Sequence, residues 1–80
     1  MEQNQILARL VPILEDTFPD TDQEFTLSTT QEDIEEWDSL AQLRLILAVQ
    51  AEFSFRFDLE EMEDIAGVPD LVQIISQKLD

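Results

Sequence analysis

Residues 35–53 read EEWDSLAQLRLILAVQAEF, and the fold turns on this run. From Ser39 to Phe53 the polar residues are few, scattered at 42, 44, 50 and 52. A helix apolar nearly all round is a central, mostly buried one. Leu40, Leu43, Ile46 and Leu47 are its expected inward stripe. Ser39 opens the run behind three acids, Glu35, Glu36 and Asp38. With Gln42 it makes S-x-x-Q, the pattern of a capping box, and Asp38 fits the cap as well. The same place would suit a covalent phosphate, because unpaired N–H groups and the helix dipole favour negative charge there. That preference is worth about 0.3–1 kcal/mol at an exposed site. The neighbouring acids oppose it, so such a modification needs an outside enzyme.

Upstream, residues 3–17 carry Ile6, Leu7, Leu10, Val11, Ile13 and Leu14 at helical spacing. Pro12 lies inside, where it removes a backbone bond and costs about 3 kcal/mol. The apolar stripe continues across it, which favours one kinked helix over a helix that begins at the proline. Residues 19–38 form a long connection with Phe25, Leu27, Ile34 and Trp37 spaced along it to pack down. Downstream, Phe53, Phe55, Phe57 and Leu59 alternate. One strand has no partner here, so the segment reads as an extended linker that buries alternate aromatics. One or two helical turns follow over 59–65, and Gly67 is expected to stop them. Pro69 opens a last helix, with Asp70 and Lys78 placed to complement its dipole. The sum is an all-α bundle of three longer helices and a short one, with a long loop between helices 1 and 2.

Composition narrows the chemistry. Eighty residues make one small domain, 1–80, and 44% apolar residues suffice for a single core. There is no cysteine and no histidine, so no disulfide, no thiolate metal site and no imidazole base. A non-catalytic protein is expected. Nineteen acids against four basic residues give a net charge of −15, which argues against nucleic acid and against an anionic membrane surface. Basic protein surfaces would be drawn to it. The N-terminal stretch MEQNQILARL lacks a basic region followed by an apolar one, so a cytoplasmic protein is expected.

Asp38-Ser39-Leu40, at the start of the second helix of a small acidic four-helix chain, resembles the attachment motif of acyl carrier proteins. The likeness extends from Ile34 to Phe53, then over FRFDLEEMEDI at 55–65, and finally to VPDLVQIISQKL at the end. Trp37 ahead of the motif is more similar to free-standing carriers of secondary-metabolite pathways than to the housekeeping fatty-acid type. The resemblance implies a carrier of acyl or aminoacyl groups. A phosphopantetheinyl transferase would move 4′-phosphopantetheine from coenzyme A onto the Ser39 hydroxyl. The arm's thiol would hold cargo as a thioester, which accounts for a carrier without cysteine. Asp38 would present Ser39, and Leu40 would anchor the helix start.

The chain also departs from the family. Fatty-acid carriers show partners an almost continuous acidic face on the second helix. Here the matching positions are Ala41, Arg44, Gln50 and Ala51, with only Glu52 acidic. Acidity is concentrated at 32–38 and 58–64 instead. The expected partner contacts are therefore Glu35, Glu36, Trp37, Ala41, Arg44, Glu60, Glu61, Glu63 and Asp64. The partners are the transferase and acyl-loading or acyl-processing enzymes (an acyltransferase, ligase or ketosynthase), met by a monomer. Ile46, Leu47, Phe57, Met62 and Val68 are candidates to line a cargo cleft, though each also suits ordinary core. Two rivals remain: an unmodified acidic interaction domain, and a calcium loop at Asp20-Thr21-Asp22-Gln23-Glu24. The latter has Phe25 and Gln31 where such a loop needs glycine and glutamate.

Overall fold

A computed structural model describes residues 2–79. Helix α1 spans Gln3–Thr17, α2 Ser39–Phe53, α3 Leu59–Asp64 and α4 Val68–Leu79. Gln31–Asp33 adds one 3₁₀ turn in the first loop, and the described residues contain no strand. Helix α1 packs against both α2 and α4. It contributes Ile6, Leu10 and Leu14 to the core, while α2 gives Ala41, Leu45, Ile46, Val49 and Phe53. From α4 come Val68, Leu71, Val72, Ile74 and Ile75. The bundle is therefore three long helices and a short α3 that contributes no fully buried residue.

Helix α1 runs unbroken through Pro12, as the continuous stripe predicted. Pro12 and Ala8 are both exposed, so the carbonyl that loses its donor lies on the solvent side. Gln5 Oε1 accepts from the Glu2 amide at the helix start, at 3.0 Å. At the far end of the pair, Arg9 reaches across to α2. Its guanidinium donates to the Glu52 carboxylate at 3.0–3.1 Å and to the Glu52 carbonyl at 2.9 Å. It also stacks 4.4 Å over the Phe53 ring. No cation lies in the last turn of α2 itself, so α1 supplies the charge that this helix end attracts. Ser54 then ends α2 in the left-handed conformation, at φ 61°.

The long loop is held by its apolar residues. Phe25, Ile34 and Trp37 are buried, and Phe18 at the end of α1 sits between two aromatics. Its ring centre is 5.3 Å from Trp37 and 6.2 Å from Phe25. Two backbone bonds then tie the loop to the start of α4: the Gln31 amide donates to the Ala66 carbonyl, and the Val68 amide to the Thr29 carbonyl, both at 2.8 Å. The resulting antiparallel bridge, Thr30 to Gly67, corrects the role expected of Gly67. No glycine has positive φ, so Gly67 is not a left-handed helix stop. A Cβ there would stand 2.7 Å from the Thr29 carbonyl oxygen and from the Thr30 Cα. Glycine is needed because two backbones touch.

The inward stripe of α2 is also corrected. Leu40, Leu43 and Leu47 are 65%, 52% and 56% exposed, and of the expected four only Ile46 faces in. The alternation over 53–59 holds for its first members. Phe53 and Phe57 are buried and Phe55 is half-buried, edge-on to Phe57 at 4.9 Å, while Leu59 is exposed. Helix α3 buries no residue fully. It is fixed by Glu61, which accepts from the Asp58 amide at 2.8 Å and from Lys78 of α4 at 3.0 Å. Met62 packs half-buried beneath it.

Candidate functional site

Ser39 is the first residue of α2 and is exposed. The capping choice left open by the sequence falls to Asp38, whose Oδ1 accepts from the Ala41 amide at 2.9 Å. The Asp38 carbonyl takes the first intrahelical bond, from the Gln42 amide at 2.8 Å. The Ser39 hydroxyl makes no side-chain hydrogen bond among the described residues. Its own amide and that of Leu40 find no acceptor there either, as the first positions of a helix dictate. The hydroxyl is thus free, next to donors that favour an anion.

The ground beneath Ser39 is firm. Trp37 is only 3% exposed and lies on Phe18. Its indole N–H donates to Gln42 Oε1, and Gln42 Nε2 donates to the Ile65 carbonyl at 3.3 Å. Gln31 Nε2 donates to the Trp37 carbonyl at 3.1 Å. Gln42 therefore does not complete a box with Ser39; it joins the loop, α2 and the end of α3. That role was missed in the sequence, where an S-x-x-Q match looked sufficient. Trp37 before it was the available signal, because a buried indole N–H needs an acceptor.

Several residues expected to meet partners are placed otherwise. Trp37 and Ala41, the latter 8% exposed, belong to the core and are withdrawn from the contact surface. Leu40 does not anchor the helix start; it points outward. Glu61 is half-buried and engaged, and two bonds hold its carboxyl below the usual glutamate value: first the Asp58 amide, then Lys78. Lys78 is raised in turn, chiefly by its bond to Glu61. Glu35, Glu36, Glu60, Glu63, Asp64 and Arg44 are exposed. Glu36, Asp38, Leu40 and Arg44 share the rim of a hollow of about 280 Å³ with Thr17, Pro19 and Asp20 of the α1–loop junction. Of the cargo-cleft candidates, Ile46, Phe57 and Val68 are buried, Met62 is half-buried and Leu47 is exposed. Among the described residues no three acids converge on a point that would hold a metal ion. None of the described helices is long and apolar enough to cross a membrane.

The site thus belongs to a small helical bundle of three long helices and a short one, with an exposed serine opening the second helix. Known proteins agree. The chain is 34% identical to an acyl carrier protein of Coprothermobacter proteolyticus, over 99% of its own length and 96% of that protein's. It is 30% identical to an acyl carrier protein of Petrotoga mobilis, over 99% and 93% of the two chains. The solution structure of a holo acyl carrier protein from Geobacter metallireducens superposes with a TM-score of 0.81 at 33% identity, covering 91% of this chain and 84% of that one. No family model matches the sequence. On these relatives the chain belongs to the acyl carrier protein family, proteins named for carrying acyl groups.

Proposed function

We propose that residues 1–80 act as one carrier domain that holds acyl or aminoacyl intermediates on a 4′-phosphopantetheine arm joined to Ser39. The observation that carries this reading is the Ser39 residue itself: exposed, its hydroxyl without a hydrogen bond among the described residues, and set on a helix start that its neighbour Asp38 already caps. A phosphopantetheinyl transferase cleaves the diphosphate of coenzyme A. The serine oxygen takes the phosphopantetheinyl phosphorus as a phosphodiester, the serine proton leaves to base, and adenosine 3′,5′-bisphosphate departs. The negative diester sits beside the free Ser39 and Leu40 amides and the positive end of α2. Asp38 holds the serine at that end and offers the transferase a carboxylate beside it. Leu40, exposed at 65%, gives the docking enzyme and the arm an apolar contact.

Loading then converts the arm's thiol to a thioester, through an acyltransferase or a ligase, and enzymes such as a ketosynthase draw on it. Glu35, Glu36, Glu60, Glu63 and Asp64 attract basic surfaces on those enzymes. The aromatic before the motif and the sparse acids of α2 favour a free-standing carrier of a polyketide or other secondary-metabolite pathway over a fatty-acid carrier. Self-repulsion at net charge −15 favours a monomer. The test is intact mass after incubation with coenzyme A and a broad-specificity transferase. A gain of about 340 Da is expected, and acetyl-coenzyme A in place of coenzyme A should add a further acetyl group that hydroxylamine removes. A mass that never changes leaves an unmodified acidic interaction domain as the better description.

A further inference from the structure

The exposed side of α2 is unlike the rest of this molecule. Leu40, Leu43 and Leu47 are all more than half exposed, at spacings of three and four residues that place them on one face. Arg44 lies on the same face, one turn after Leu40, and is exposed. Among the described residues it makes no ion pair. The carboxylates that share its hollow, Asp20, Glu36 and Asp38, form no ion pair with it, and Glu52, the one acid of α2 itself, is taken by Arg9 of α1. A protein of net charge −15 with four basic residues thus places one of them, without an ion pair among the described residues, between the exposed leucines of a face that begins at Ser39.

Resting on the carrier reading above, we infer that Arg44 selects partner enzymes: the enzyme that loads or unloads this carrier docks on α2 with an apolar groove for the leucines and a carboxylate opposite Arg44. Charge complementarity assigns the occupant. A guanidinium among leucines loses its water when the face is covered, and only an opposed carboxylate compensates that loss. A second copy of the chain brings another Arg44 and another −15 to the contact, so it is the wrong occupant. An enzyme that grips carriers by lysines or arginines along the second helix meets like charge here, which disfavours it as a partner.

A charge-swap cycle tests this on the full chain. The probe is a purified malonyl transacylase that recognises carriers through a basic surface, together with a variant of it in which the lysine or arginine facing the middle of α2 is replaced by glutamate. Both act on the phosphopantetheinylated protein, made with a broad-specificity transferase, in its wild-type and Arg44→Glu forms. Arg44→Glu should improve loading by the basic enzyme by about five- to tenfold at low salt, through KM. The wild-type carrier should prefer the glutamate variant, and Arg44→Glu should reverse that preference. Both effects should fade at high salt, and thermal melts should show both carriers equally folded. Equal KM for all four pairs overturns the inference while leaving the carrier reading intact. A wild-type dimer in sedimentation that Arg44→Glu or Leu47→Gln dissolves also overturns it, in favour of self-association. A protein that never gains the arm overturns the carrier reading and this inference with it.

Discussion

Asp38 and Ser39 divide the start of α2 between them. One carboxylate oxygen of Asp38 satisfies the Ala41 amide, which frees the serine from capping and leaves its hydroxyl to solvent. The two functions of Asp38, cap and charge, separate by substitution. Asp38→Ala should lose about 0.5–2 kcal/mol, read by denaturant or thermal unfolding, whereas Asp38→Asn caps as well and should keep stability. If the charge also presents Ser39 to the transferase, Asp38→Asn should still slow phosphopantetheine attachment. Equal attachment rates for wild type and Asp38→Asn would confine Asp38 to the cap. Local pattern left Ser39 as either a cap or a modified residue, and only the likeness of Asp38-Ser39-Leu40 to the carrier attachment motif singled it out. The alternative cap was not decided there, because Ser and Asp serve that position almost equally well.

Helix α2 shows where periodicity stops informing. Two apolar stripes run along it at helical spacing, one through Leu40, Leu43 and Leu47, the other through Ala41, Leu45 and Val49. Periodicity alone does not choose between them; the bundle buries the second stripe together with Ile46 and Phe53 and leaves the three leucines exposed. A surplus apolar stripe is itself a signal, since packing does not account for it. Leu45→Ala should therefore cost about 2–5 kcal/mol, and Leu43→Ala should stay within about 0.5 kcal/mol in the same unfolding measurement. Helix positions were readable throughout, because each long helix carries its own stripe. The bridge at Gly67 and the Gln42 link were not, because both depend on segments far apart in sequence.

Helix α3 offers a second test at this scale. Its hold on α4 is Glu61 with Lys78 and the Asp58 amide. The lowered Glu61 carboxyl supports the fold above the ordinary glutamate value and stops doing so as pH falls through its lowered one. The raised Lys78 supports it below the ordinary lysine value and stops as pH rises past its raised one. The clamp is complete across the interval between. NMR titration should find Glu61 below the ordinary glutamate range. Lys78→Met should move it only partway back, because the leading cause, the Asp58 amide, remains. A full return would make Lys78 the main cause instead.

Across the whole molecule, charge sets the conditions. A net charge of −15 on eighty residues repels itself, and of the four basic residues Arg9 and Lys78 are committed to internal pairs. Salt should raise stability: the melting temperature should climb between about 10 mM and about 500 mM sodium chloride, where the screening length shrinks several-fold. In a domain this small each kcal/mol recovered is worth about 4–8 °C. A melting temperature that falls with salt would mean the internal pairs outweigh the general repulsion.

The most direct measurement of the central claim is the site of attachment. Trypsin cleaving after Arg9 and Arg44 releases residues 10–44, a peptide that holds Ser39 together with Ser28 and five threonines. After treatment with coenzyme A and the transferase, that peptide should gain the phosphopantetheinyl mass, and its fragment ions should place the group on Ser39 alone. Ser39→Ala should leave the peptide unmodified in a protein that still folds. A modified Ser39→Ala protein, or fragments that place the group on another hydroxyl, would contradict the account.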